Sequence, residues 1–168
     1  MLNKEERDLE QSVYEMKLKS LGIELPKLPA PLGSYVPWVM SGNLLYLSGS
    51  VSSLFQNTDG TRPYVGAVGR ERTLEEGQAA ARYAAMVQMA AIRDALGSID
   101  WVKRIVFVTG FVWGVEGFPD SPKVINGASD LFGAVFGESG RHARAAVAVA
   151  GLPGGATVEI QTVVEFDV

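Results

Sequence analysis

The stretch Gly140–Phe166, GRHARAAVAVAGLPGGATVEIQTVVEF, constrains the fold more than any other. It reads as two strands, 142–150 and 156–166, joined by the turn-rich run Gly151-Leu-Pro-Gly-Gly. A short connection predicts antiparallel pairing, with Arg144 early in the first strand and Glu159 early in the second, each able to approach the other. In the second strand Val158, Ile160, Thr162, Val164 and Phe166 share one face, and Glu159, Gln161, Val163 and Glu165 the other. The expectation is a hairpin whose non-core face carries Arg144, Ala146, Ala148, Glu159, Gln161 and Val163. A cation and an acid on that face would make a small-anion site.

The rest of the chain frames this hairpin. Asn3, Glu5 and Glu6 and the apolar positions Leu9, Val13, Met16 and Leu21 predict a helix over 3–21, ended by Gly22. Pro26-Lys-Leu-Pro-Ala-Pro-Leu-Gly is a proline-rich connector. Residues 1–33 therefore read as an N-terminal extension packed on a domain over 34–168. Strands are expected over 35–40 and 44–51 around the turn Ser41-Gly-Asn, with a short one at 64–68. Thr73 and Glu76 form a capping box for a helix over 74–96 that ends at Gly97, with Ala80, Ala84, Val87, Ala91 and Ala95 on one face. Val102–Trp113 is a β-branched strand. Gly110 and Gly114 suggest a bulge or bend in it. Ser121-Pro122 reads as an N-cap followed by proline at the first helical position, and that helix runs to Phe136 with Val124, Ala128, Leu131 and Val135 on one face. The order predicts an α+β domain: one mixed sheet with two helices on one face.

Composition excludes several chemistries. The 168 residues suit one domain with a sizeable core. There is no cysteine and one histidine, His142, so thiolate chemistry and a metal site within one chain are not expected. Net charge is −4 with no basic stripe, which argues against nucleic acid as a partner. The charged N-terminus and the lack of a long apolar run predict a cytoplasmic protein with no membrane contact.

Several short motifs resemble those of the RidA, or YjgF-like, family, whose members hydrolyse reactive imines and enamines. Ser34-Tyr35 and Gly42-Asn-Leu-Leu-Tyr-Leu-Ser-Gly are similar to its opening motifs. Asn126 in Val124-Ile-Asn, and Val135-Phe-Gly, are similar to its second helix. Arg144-Ala-Ala-Val, Leu152-Pro and Val158-Glu-Ile are similar to its signature. The resemblance covers about 34–166. It implies a chorismate-mutase-like trimer fold, a homotrimer with sites in clefts between subunits, and no cofactor or metal. It further implies that Arg144 holds a substrate carboxylate and that Glu159 positions the attacking water. Tyr35, Ser48 and Gly49 would line the cleft, Asn126 would lie nearby, and the backbone N–H of Ala146 could contact the substrate. The chain departs from the family at Ala145 and Ala146, where Ser and then Ala or Cys are usual, and at Val36-Pro37 after the tyrosine.

Each residue also has a plainer reading. Arg144 could be a surface charge or a structural ion pair. Glu159 could pair with another subunit's arginine, and Tyr35 could be an interface residue. Ser48 could end a strand, Asn126 could bond a loop, and His142 could be a strand-edge surface residue. Three functions follow: a hydrolytic deaminase of small 2-imino or 2-enamino acids, a non-catalytic binder of small carboxylates or other metabolites, and an endoribonuclease. The acidic charge balance disfavours the last.

Overall fold

A computed structural model of the chain describes residues 13–31 and 33–167. Helix α1 spans Val13–Ser20. The part of the predicted first helix over 3–12 lies outside the described residues. Asp100 Oδ1 accepts hydrogen bonds from the backbone N–H of Tyr14 (2.6 Å) and Glu15 (3.1 Å). Glu15 receives the Arg93 guanidinium through Nε (2.9 Å) and Nη2 (2.5 Å). Leu18 is buried and the Tyr14 ring meets Phe136 edge-on, so α1 is tied to the domain at several points.

The strands are β1 (Trp38–Ser41), β2 (Leu44–Leu47), β3 (Ser50–Val51), β4 (Val102–Trp113), β5 (Ala143–Val149) and β6 (Val158–Phe166). They form one sheet in the order β1-β2-β6-β4-β5, with β3 also paired to β6. β4 and β5 run parallel; every other pair is antiparallel. Gly42, at φ 59°, makes the two-residue turn between β1 and β2 possible. The predicted strand at 64–68 is reduced to isolated bridges from Val65 and Val68.

Helices α2 (Leu74–Leu96) and α3 (Ser121–Phe136) pack together on one face of the sheet. The α2 cap is as the sequence predicts: Thr73 and Glu76 exchange bonds of 3.2 and 2.8 Å, and Gly97 ends the helix in the left-handed region. α3 begins one residue earlier than expected. Asp120 occupies the cap position, and the Ser121 hydroxyl donates to Ala146 O instead. The helices are in close contact at Gly127, where a Cβ would lie 2.0 Å from Gln78 O. Gly110 is neither bulge nor bend. It pairs regularly with Ala146 and Ile160, and its missing side chain makes room for Ile125 of α3.

The predicted hairpin does not form. β4 lies between β5 and β6, and the two strands never touch. α3 is the crossover that lets β5 run parallel to β4, as such a connection must. The Gly151–Gly155 turn then carries the chain past the end of β4 to its other edge. A twelve-residue apolar strand is what a sheet centre needs, and β4 fills it.

Candidate active site, in two halves

Ladder register decides which face each residue occupies. Arg144 pairs with Val108, which pairs with Thr162, and Val108 and Thr162 are both buried beneath the helices. Arg144 therefore points to the helix face. Glu159 lies beside Phe111 and Val51, in the alternate register. It points to the open face. The expectation of both charges on one non-core face is corrected: Arg144 and Ala146 are on the helix side, Glu159, Gln161 and Val163 on the other. Three ladder steps and two strand spacings also separate them, about 10 Å in each direction.

At the Arg144 half, α3 supplies the partners. Arg144 Nη1 donates to Asn126 Oδ1 (3.0 Å) and Ser129 Oγ (2.9 Å), and Nη2 donates to Pro122 O (3.2 Å). A guanidinium has five N–H donors. Nε–H and one Nη2–H remain without a partner among the described residues. Arg144 also lines an open concavity with Arg141, His142, Gly133 and Gly140. Ala146, partly buried one turn of the pleat further on, packs its methyl against the core.

At the Glu159 half, the link between β2 and β3 supplies the walls. Gly49 lies against the Glu159 carboxylate, and a Cβ there would come 1.9 Å from Oε1. Ser48 donates its hydroxyl to Val36 O (2.7 Å) and its N–H to Pro37 O (2.9 Å), so its side chain fixes the segment after Tyr35. Tyr35, Ser48 and Gly49 line one cavity of about 60 Å³, closed by Leu28, Ala30 and Val87. Glu159 has no hydrogen-bond or ion-pair partner among the described residues. Burial pushes its carboxyl above the ordinary range.

The structure thus brings Tyr35, Ser48 and Gly49 to one cavity, which Glu159 does not line although its carboxylate lies against Gly49, and separately gathers Asn126, Ala146 and Arg144. Two supporting residues escape the sequence reading. Ser129 is one; it lies three residues from Asn126 on α3, and that spacing was the available signal. Gln88 is the other, a fully buried amide whose Nε2 donates to Ser48 O (2.9 Å) and Ser50 Oγ (2.7 Å). A glutamine on the alanine stripe of α2, four residues after Ala84, was its signal. No group of three or more metal-ligating side chains converges, and no helix is long and apolar enough to cross a membrane, among the described residues.

Comparison with known proteins identifies the family. The family model for YjgF/chorismate mutase-like, putative endoribonuclease, matches residues 15–162. Protein TCP17 of Trypanosoma cruzi is 44% identical over 151 residues, 89% of this chain and 92% of that one. The crystal structure of protein Atu1372 from Agrobacterium tumefaciens, of unknown function, is 41% identical with a TM-score of 0.82, covering 96% of both chains. That of a putative endoribonuclease from Shewanella oneidensis is 31% identical with a TM-score of 0.84, covering 92% of this chain and 99% of that one. The family match and these identities and TM-scores agree, and the chain belongs to the YjgF/RidA family.

Proposed function

We propose that this chain is a hydrolytic deaminase of small 2-imino and 2-enamino acids, working as a homotrimer with each site completed by two subunits. The observation that carries this reading is the division of the site. Arg144 keeps two donors for an anion on one face, and Glu159 keeps an unpartnered, half-buried carboxylate on the other. Neither half can serve the other within one chain, so a second copy must supply the missing one.

The open face supports assembly. Val39, Tyr46, Val163, Phe107 and Ala143 form one ladder row across five strands. Val39, Tyr46, Phe107 and Val147 are 54%, 45%, 38% and 45% exposed on this face, an apolar surface that a neighbouring sheet would cover. Cyclic closure buries the same patch in every subunit.

In the proposed reaction the substrate carboxylate docks on Nε–H and Nη2–H of Arg144. Glu159, lifted toward neutrality by burial, takes a proton from a water as its oxygen adds to the imine carbon. Glu159 passes that proton to the nitrogen and then takes the hydroxyl proton of the addition product, so that the C–N bond breaks as the C=O forms; the second proton follows the first, ammonia leaves with both, and a 2-oxo acid remains. One water is consumed and one ammonia released; no metal or nucleophilic thiol is required. The reading of a non-catalytic carboxylate binder is favoured by one feature. Nothing polar orients Glu159, whereas Arg144 is braced by three acceptors. An RNA-cleaving role is not favoured, because Arg141, His142 and Arg144 form a small concavity and not a phosphate-tracking stripe.

The decisive assay follows imine decay, trapped by semicarbazide, with imines made by an amino-acid oxidase. The expected result is acceleration by the wild type, lost in Arg144→Ala and in Glu159→Gln. Co-assembling these two variants in equal amounts should restore about a quarter of wild-type activity, since random mixing gives that share of intact two-subunit sites. If no imine decays faster with the wild type while 2-oxo acids bind, the binder reading stands instead. Sedimentation equilibrium should give three times the chain mass.

A further inference from the structure

The single histidine has no role in the reaction above, yet it belongs to an ordered line of four residues. His142 Nδ1 lies 2.7 Å from Gly140 O, and Nε2 lies 2.9 Å from Ser129 Oγ. Ser129 Oγ in turn accepts from Arg144 Nη1 at 2.9 Å. A carbonyl oxygen cannot donate, so the ring proton belongs on Nδ1 and Nε2 is the acceptor. A guanidinium cannot accept, so Ser129 uses a lone pair toward Arg144 and gives its one hydrogen to Nε2. The directions are then fixed along the whole line, from Arg144 through Ser129 and His142 to Gly140.

We propose that His142 is a positioning residue for Arg144: its neutral imidazole locks the Ser129 hydroxyl as an acceptor, which holds the guanidinium ready for a carboxylate. This rests on the reading of Arg144 as the carboxylate anchor. The surroundings hold the line in place. Phe132 meets the imidazole edge-on at 5.8 Å and 90°. A Cβ at Gly140 would lie 2.2 Å from Phe132 O, so only glycine delivers this carbonyl to Nδ1. Burial holds the His142 pKa below its ordinary value; the Gly140 bond opposes this and the Arg144 charge adds to it. Without the imidazole the Ser129 hydroxyl would rotate freely, and the arginine would have to be ordered again by each ligand.

The test is calorimetry of 2-oxobutanoate binding at pH 7.5, alongside thermal melting of the same samples. His142→Phe and Ser129→Ala should each weaken binding about two- to tenfold, the effect of freeing one side chain. Together they should do no more than either alone, because they interrupt one line. In an Arg144→Ala background neither should change the residual affinity. His142→Gln, whose amide oxygen can still accept from Ser129, should restore most of the binding. A lower melting temperature with unchanged affinity would overturn the proposal, as would additive losses or losses that persist without Arg144. If the wild type binds no 2-oxo acid, the anchor reading falls and takes this proposal with it; unchanged affinity in His142→Phe alone removes only the proposal.

Discussion

The Arg144 half and the Glu159 half are built in opposite ways. Around Arg144, three oxygens from one helix hold a guanidinium cation. Around Glu159, close packing against a glycine leaves a half-buried titratable group without any bond among the described residues. The contrast follows from the work each charge can do. A permanent cation gains from rigidity, because its task is to hold a fork in one orientation. A carboxylate that must gain and lose a proton gains from a dry setting that brings its two states closer in energy.

The strongest way to break this contrast is Glu159→Gln. Imine hydrolysis should fall by roughly 10²–10⁴-fold, the usual contribution of a placed acid–base group, while calorimetry shows 2-oxo-acid binding near wild type. Equal loss of binding would mean that Glu159 is a binding residue like Arg144. Next comes Arg144→Ala. Removing a charged hydrogen bond worth about 1.5–3 kcal/mol should weaken 2-oxo-acid affinity about ten- to a hundredfold. Lysine should recover little, as a point charge replaces a fork.

A smaller effect is expected from Gly49→Ala. The new methyl would displace the Glu159 carboxylate, the end of a flexible side chain, so turnover should drop several-fold with the melting temperature almost unchanged. A large fall in melting temperature would show that the β2–β3 link, and not the acid, depends on that glycine. The smallest effect is on pH dependence. An acid whose folded pKa is raised makes the folded chain bind extra protons above the ordinary glutamate value, so stability declines as pH rises through that window. Melting curves of Glu159→Gln should lack this decline and run slightly above wild type at pH 7 but not at pH 4.

Much of this was legible in the residues. The capped α2, the central strand β4 and α3 follow from local rules, since capping boxes, β-branched runs and apolar stripes are properties of neighbouring residues. The motif residues of both halves were likewise visible, through family resemblance. Pairing was not. Nothing local to 142–166 says that β4 separates β5 from β6, because that choice depends on where α3 lays the chain across the sheet. With the wrong neighbour came the wrong face, and Arg144 passed from the open side to the helix side. Gly110 misled for the same reason: its tight partner, Ile125, comes from α3, outside its own strand.

The position of β6 carries a consequence for how the molecule forms. It follows every other strand in the chain, yet it is flanked by β2 and β3 on one side and β4 on the other. Leu44 meets Glu165, at the far end of the sequence. The β4–α3–β5 unit, with Arg144, Asn126 and Ser129 all inside it, can close through contacts near in sequence. The other half must wait for β6. Loop closure of that length is slow, so a chain emerging from the ribosome would carry a finished anchor for anions long before it had a carboxylate to act on them. Until that last strand inserts, the edges of β2 and β4 stay open to pairing with other chains.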